Sequence, residues 1–317
     1  VELKPRIRHW IETLALPGRK VATTRPLTGG FSNDNALVTL ADGGEYVLRR
    51  YLRKNSAAVE AALAARLSGV VPVPEVIAAD PSGGAAGEPA LLSTFMPGQL
   101  LGHVLTDPPP ASAQLGHAVG ATLAALGSIT FASAGFFSDG RLTPDGIEPT
   151  SDLDVFVERC LTDGNAQGHL SDEDQRKLLR VAERATDDLR VLRGSRQLVH
   201  SDFNPKNLLV ARPDGTTWQV TAVLDWEFAF SSSPLVDIGN MLRDPRPPAF
   251  EQGFVDGFRE SGGDLPADWR RLSQALDLFA LADFLTRPPD HRYFRRAVRR
   301  IRELRPPEPP PGPPPAR

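Results

Sequence analysis

The chain has 317 residues, 41% of them hydrophobic and 24% charged, enough apolar material for one large domain or two smaller ones, which excludes a disordered chain or a fibre. A formal net charge of −3 excludes a global basic field for nucleic acid or an anionic membrane, and the single cysteine, Cys160, excludes an internal disulfide and any cysteine-based metal cluster. Residues 1–8 lack the pattern of a secretory signal, and no stretch reaches the roughly eighteen apolar residues of a membrane helix, so a cytoplasmic protein without membrane or nucleic-acid partners is expected.

Residues 21–79 read as β-rich with one inserted helix. Short apolar alternations at 21–26, 36–40 and 45–51, separated by Gly29-Gly30 and Asp42-Gly43-Gly44, predict an antiparallel meander. Ser56 is placed to cap a helix over 57–67, which Pro72 and Pro74 stop. A strand pair at 75–79 and 90–95 ends at Pro97-Gly98, punctuation expected of a hinge.

Beyond the hinge the period becomes helical, with helices predicted over 111–126, 153–161, 172–192, 249–261, 267–285 and 293–304. The interruption is 197–229, where β-like runs at 207–211 and 219–224 flank a turn at Pro213-Asp214-Gly215, as in a hairpin. The last thirteen residues contain eight prolines, which favours an extended or disordered tail. The expectation is therefore an α+β chain: an N-terminal β-rich lobe (1–96), a larger helical lobe (97–304) and a Pro-rich disordered tail (305–317).

The densest set of reactive groups is His200-Ser201-Asp202-Phe203-Asn204-Pro205-Lys206-Asn207, followed by Asp225-Trp226. Carboxylate and carboxamide oxygens around a hairpin suit magnesium. Two such ligands plus one free carboxylate are what in-line phosphoryl transfer needs: charge neutralisation on the phosphates and a base for the attacking hydroxyl.

The pattern His-x-Asp-x-x-Pro-x-Asn followed by Leu-Asp-Trp resembles the phosphate-transfer motif of the aminoglycoside phosphotransferase family, a branch of the protein-kinase-like fold. The resemblance implies a bilobal kinase-like architecture, with Asp202 as catalytic base, Asn207 and Asp225 as magnesium ligands, and His200 supporting the loop. Upstream, Gly29-Gly30-Phe31-Ser32-Asn33 resembles the family's phosphate-covering turn. Arg49 stands where kinases carry lysine, and Glu60 on the next helix is expected to hold it over the phosphates. These elements run in family order over residues 27–241. Gly127 departs from the pattern, standing where the family often has histidine.

The resemblance implies ATP or GTP and Mg2+ as cofactors and a hydroxyl-bearing small molecule as acceptor, expected to be an antibiotic or natural product. A metabolic kinase of the same fold, acting on choline, homoserine or a sugar-like alcohol, is the alternative; a nucleotide-binding pseudoenzyme and a metal-dependent hydrolase are further ones. The sequence has no G-x-x-x-x-G-K-[ST] and no G-x-S-x-G, which counts against other phosphate-loop and serine-hydrolase chemistries.

Several residues allow two readings. Asp237 is expected to cap the helix after Pro234, with bracing of the catalytic loop as the alternative. Trp226 and Phe228 are expected in the core, with stacking on the nucleotide base as the alternative, and Arg50 is expected in solvent on the strand face opposite Arg49. Glu227 faces either metal or solvent. Residues 151–190 carry ten acidic against six basic residues and read as a solvated helix face, or else as an acidic wall for a polycationic acceptor. The arginine-rich last helix is expected to bury Phe294, Val298 and Ile301 and to turn its charges to water.

Overall fold

The computed structural model describes residues 2–27, 33–107 and 109–304. In chain order its elements are α1 (Pro5–Trp10), β1 (Val21–Pro26), β2 (Asp34–Leu40), β3 (Glu45–Arg50), α2 (Ala57–Leu67), β4 (Val76–Asp80), β5 (Ala90–Thr94), β6 (Gln99–Leu100), α3 (Leu101–Val104), α4 (Ser112–Gly127), β7 (Gly135–Phe136), α5 (Leu153–Asp163), α6 (Asp172–Leu189), β8 (Gln197–Val199), β9 (Leu208–Ala211), β10 (Gln219–Val223), β11 (Phe230–Ser232), α7 (Leu235–Leu242), α8 (Pro248–Glu260), α9 (Trp269–Asp283) and α10 (Arg292–Glu303). The predicted meander, inserted helix, hairpin and long helices all form, with ends displaced by a few residues. The very short strands β6, β7, β8 and β11 carry no alternation long enough to read. The Pro-rich tail lies outside the described residues.

The chain divides into two compact units, one made of Val1–Pro149 with Gly194–Leu265, the other of Thr150–Arg193 with Pro266–Arg317. Past Gly98, β6 pairs antiparallel with β9, so the segment after Pro97-Gly98 is stitched to the hairpin. The fit at Gly98 requires glycine: its φ is +147°, and a Cβ there would lie 2.6 Å from the Thr221 hydroxyl.

Within the first unit, an antiparallel sheet runs in the order β1-β2-β3-β5-β4. Its inward residues Val21, Val38, Leu40, Leu48 and Leu92 pack against Ile7, Trp10 and Ile11 from α1 and the π-helical turn that follows it. Alternation along β3 buries Leu48 and sends its neighbours to the other face. Smaller sheets, β10-β9-β6 and β7-β11-β8, carry the hairpin and the strand leading to His200. Helices α4 and α8 approach closely: Gly116 and Gly120 face the Phe250 and Phe254 carbonyls, while Gly253 and Gly257 face those of Ala113 and His117.

Two local expectations are corrected here. Ser56 makes no side-chain cap to α2; its hydroxyl donates to Glu60 at 2.7 Å, and Asn55 accepts from the Ala57 N–H instead. Arg50 is not solvated, because it is ion-paired to Asp34, directly opposite in the β2–β3 register, and to Glu88.

The second unit is helical, built from α5, α6, α9 and α10. Phe156 and Phe279 meet at 5.2 Å between ring centroids, and Ser171 caps α6 by accepting from Asp174 N–H at 3.1 Å. Phe294, Val298 and Ile301 are buried along α10 as the spacing predicts. Cys160 is buried, and burial pushes its thiol up to about 11, the state of an unreactive small hydrophobe. Among the described residues no helix is long and apolar enough to cross a membrane.

Candidate active site

Strand β8 delivers His200 to a turn held by tertiary contacts as well as by its own hydrogen bonds. Ser201 has φ of +69°, a conformation costly for a side-chain-bearing residue, and its carbonyl accepts from Asn240 at 2.8 Å. The fully buried Asp237 carboxylate accepts from the His200 and Ser201 backbone N–H groups at 2.7 and 2.8 Å. Burial pushes the Asp237 carboxyl up, while His200 and these backbone donors favour its ionised form. Asp237 thus braces the loop, and the expected cap from Asp237 on α7 does not form; the Ser233 hydroxyl accepts from the Leu235 N–H at 3.3 Å instead.

His200 is buried with both ring nitrogens engaged. Nδ1 accepts from Asp202 N–H at 3.2 Å, so Nε2 carries the proton and donates to the Leu224 carbonyl at 2.9 Å. The Leu224 N–H donates to the Asn207 carbonyl at 2.8 Å. Leu224 is therefore clamped on both sides, and the chain turns sharply at Asp225, whose φ is also +69°. The indole of the buried Trp226 donates to Val223 O and lies against the His200 ring at 4.5 Å. Phe228 is corrected: it is 40% exposed, because residues 227–228 form a turn rather than a strand and do not repeat the inward direction of Trp226.

Asp202 sits among donors from its own turn. Asn204 Nδ2 donates to Oδ1 at 2.5 Å, Asn207 Nδ2 donates to Oδ2 at 2.9 Å, and the Lys206 ammonium reaches Oδ2 at 2.7 Å. A carboxylate offers about four lone-pair positions, so these three donors leave one, on Oδ1. With its amide nitrogen committed to Asp202, Asn207 presents its side-chain oxygen as the atom for a cation.

Arg49 projects from β3 on the face opposite Leu48 and is shared by three carboxylates. Its Nη2 donates to Asp225 Oδ1 at 2.7 Å and lies 3.3 Å from Glu227 Oε2, while Nε is 3.3 Å from Glu60 Oε2. The expected Arg49–Glu60 pair is present, but Asp225 and Glu227 join it. Burial pushes the Glu60 carboxyl up to about 7 despite Arg49. Glu227 also accepts from Asn33 Nδ2 at 2.6 Å, while the buried Asn33 Oδ1 has no partner among the described residues. Gly29, Gly30, Phe31 and Ser32 lie outside the described residues; Asn33 is the first described residue after them.

The donor set fits a hard divalent cation. One guanidinium stands against three carboxylates, leaving the cluster short of positive charge, and Asp225 and Asn207 supply the oxygens such an ion takes. Among the described residues no group of three or more His, Cys, Asp or Glu side chains could hold a metal by itself.

The sequence alone leaves Glu227 open, favours a capping role for Asp237 and marks no part for Asn204 and Lys206. The signal for Lys206 was its four-residue step from Asp202 around a turn. Nothing local pointed to the contact of Glu227 with Asn33, because the two are 194 residues apart.

The model of the phosphotransferase enzyme family matches residues 23–275. Among solved structures the chain is similar to macrolide 2′-phosphotransferase MphH from Brachybacterium faecium, at 20% identity over 92% of this chain and 96% of that one, with a TM-score of 0.62. It is also similar to a thermostable variant of aminoglycoside phosphotransferase APH(4)-Ia in ternary complex with ADP and hygromycin B (18% identity, 90% and 93% coverage, TM-score 0.65). A third neighbour is a provisionally assigned fructosamine-3-kinase from Thermobifida fusca YX-ER1 (18% identity, 90% and 94% coverage, TM-score 0.62). No curated protein sequence matches. These similarities establish the kinase-like fold, and with a family match over most of its length the chain belongs to the phosphotransferase enzyme family as a small-molecule kinase.

Proposed function

We propose that this kinase transfers the γ-phosphoryl group of ATP or GTP to a hydroxyl of an antibiotic or other natural product, with Asp202 as base. The observation that carries this reading is the double tie of Asn207: its amide donates to Asp202 while its backbone carbonyl holds Leu224, next to Asp225. Base, carboxamide and second carboxylate are thereby one rigid unit, the pre-organisation that phosphoryl transfer needs in place of covalent chemistry. The open position on Asp202 Oδ1 accepts the acceptor's proton, a contribution of roughly 10²- to 10⁴-fold for a positioned base. Asn207 and Asp225 would hold magnesium, which when bound neutralises phosphate charge. Arg49, kept in place by Glu60, adds a fixed positive charge beside them, and the turn Gly29, Gly30, Phe31, Ser32 and Asn33 covers the phosphates.

The neighbours named for macrolides and bound to hygromycin B support an antibiotic acceptor. The fructosamine-3-kinase neighbour supports the second reading, a metabolic kinase for a sugar-like alcohol, choline or homoserine. The test is Mg2+-dependent ADP release from ATP against macrolides, aminoglycosides and these metabolic alcohols, with Asp202→Ala as control. Turnover stimulated by one acceptor and lost in the variant is expected. Tight Mg-nucleotide binding with no turnover against any acceptor or water would overturn the reading in favour of a nucleotide-binding module.

A further inference from the structure

We infer that Lys206 is a catalytic residue of the transfer, donating from its ammonium to the phosphoryl group as it moves; the inference rests on the proposed function and adds a residue to it. Three observations carry it. First, the ammonium lies 2.7 Å from Asp202 Oδ2, the carboxylate to which the acceptor hydroxyl gives its proton. Any hydroxyl in reach of Asp202 brings the phosphorus it attacks close to the same ammonium.

Second, the position is built. The Lys206 N–H donates to the Asn204 side-chain oxygen at 3.1 Å, and Asn207 N–H donates to the Asn204 carbonyl at 3.0 Å, so the stem of Lys206 leaves from a fixed turn. Third, the two nearby cations differ in exposure. The Arg49 side chain is 12% exposed and divided among Glu60, Asp225 and Glu227, whereas that of Lys206 is 39% exposed. Lysine carries three donors on a flexible stem, so it keeps Asp202 and reaches a phosphoryl oxygen together.

The step balances as follows. The acceptor oxygen forms a bond to the γ-phosphorus, the bond from that phosphorus to the bridging oxygen breaks, and the electron pair leaves on ADP. The hydroxyl proton goes to Asp202. Lys206 keeps all its protons and opposes the charge on the phosphoryl oxygens, a contribution that exists only where phosphorus is near both oxygens.

The test uses the full chain and slow Mg-ATP hydrolysis, with water in place of the acceptor, for wild type, Lys206→Met, Lys206→Arg and Asp202→Asn. Lys206→Met should lower kcat about 10²-fold, as loss of one charge-stabilising donor does elsewhere, with KM for ATP within about 3-fold of wild type. Binding of Mg-ADP with aluminium tetrafluoride, an analogue of the phosphoryl in transfer, should weaken by about the same factor while Mg-ADP binding alone is unchanged. Lys206→Arg should recover part of both. A Lys206→Met enzyme with wild-type kcat overturns the inference. So does a fall in kcat with the analogue bound as tightly as by wild type, since Lys206 then only positions Asp202. Poor folding of the Met variant would show in its melting temperature, and the Arg variant then carries the test. If wild type neither binds Mg-ATP nor loses turnover in Asp202→Asn, it is the proposed function that fails.

Discussion

The turn from His200 to Asn207 and the crossing of α4 on α8 lie in the same compact unit and solve opposite problems. The turn holds charges and polar groups in place, and it does so with partners: each group around Asp202 has a named donor or acceptor, and two residues are kept at positive φ. The helix crossing needs the absence of atoms. A Cβ on Gly120 would lie 2.0 Å from the Phe254 carbonyl, and one on Gly257 would lie 2.1 Å from that of His117. Glycine pairs four residues apart on both helices let the backbones touch while Phe250, Phe254 and Phe258 fill the flanks. Substitutions in the first region should therefore cost activity, and in the second stability.

The sharpest separation is expected from Asp202→Ala. It should lower kcat by roughly 10²- to 10⁴-fold, with a melting temperature close to wild type because Asp202 is braced from its own turn. Calorimetry beside an ADP-release assay checks it, and a large fall in melting temperature would break the contrast. Asp237→Ala should blur it instead. That change leaves two buried N–H groups without an acceptor, at about 1–3 kcal/mol each, and frees the loop, so stability and kcat should fall together in chemical denaturation and turnover measurements.

Glu60 brings pH into the comparison. Its folded-state value of about 7 lies above the ordinary 4.5, so its contribution is fully present below about pH 4.5 and is lost as pH rises through 7, with a span of about 3 kcal/mol. Glu60→Gln should flatten that part of a stability-against-pH curve; an unchanged slope would mean that Glu60 is not its source. Gly120→Ala should cost about 1–3 kcal/mol in denaturant unfolding while the folded fraction retains wild-type kcat. The smallest effect expected is Arg49→Lys, which keeps the charge but cannot span Glu60, Asp225 and Glu227 at once. A several-fold rise in KM for ATP with little change in kcat is the outcome to look for.

Much of the first region was legible beforehand. The five-residue step from Asp202 to Asn207 and the Asp225-Trp226 pair follow from a tight turn and a short hairpin, where spacing along the chain fixes distance in space. The α4–α8 crossing was not read, since glycines inside a helical pattern look like a propensity cost until a second helix is seen against them. The same holds for Asp237: a carboxylate at the start of a helix usually caps it, and only the return of the chain beside His200 gives it better donors.

The sequence by itself determined the succession of the longer strands, the helices and the hairpin and the residues that would face one another across one turn, because periodicity and short-range spacing are properties of the chain; the kinase-like class came from the resemblance of its motifs to a family. Only the tertiary structure decided that Arg49 serves three carboxylates, that Glu227 meets Asn33, and that Arg50 is paired rather than solvated. The physical reason is that a buried charge takes whatever opposite charge the packing brings within reach, and that choice is made between segments far apart in sequence.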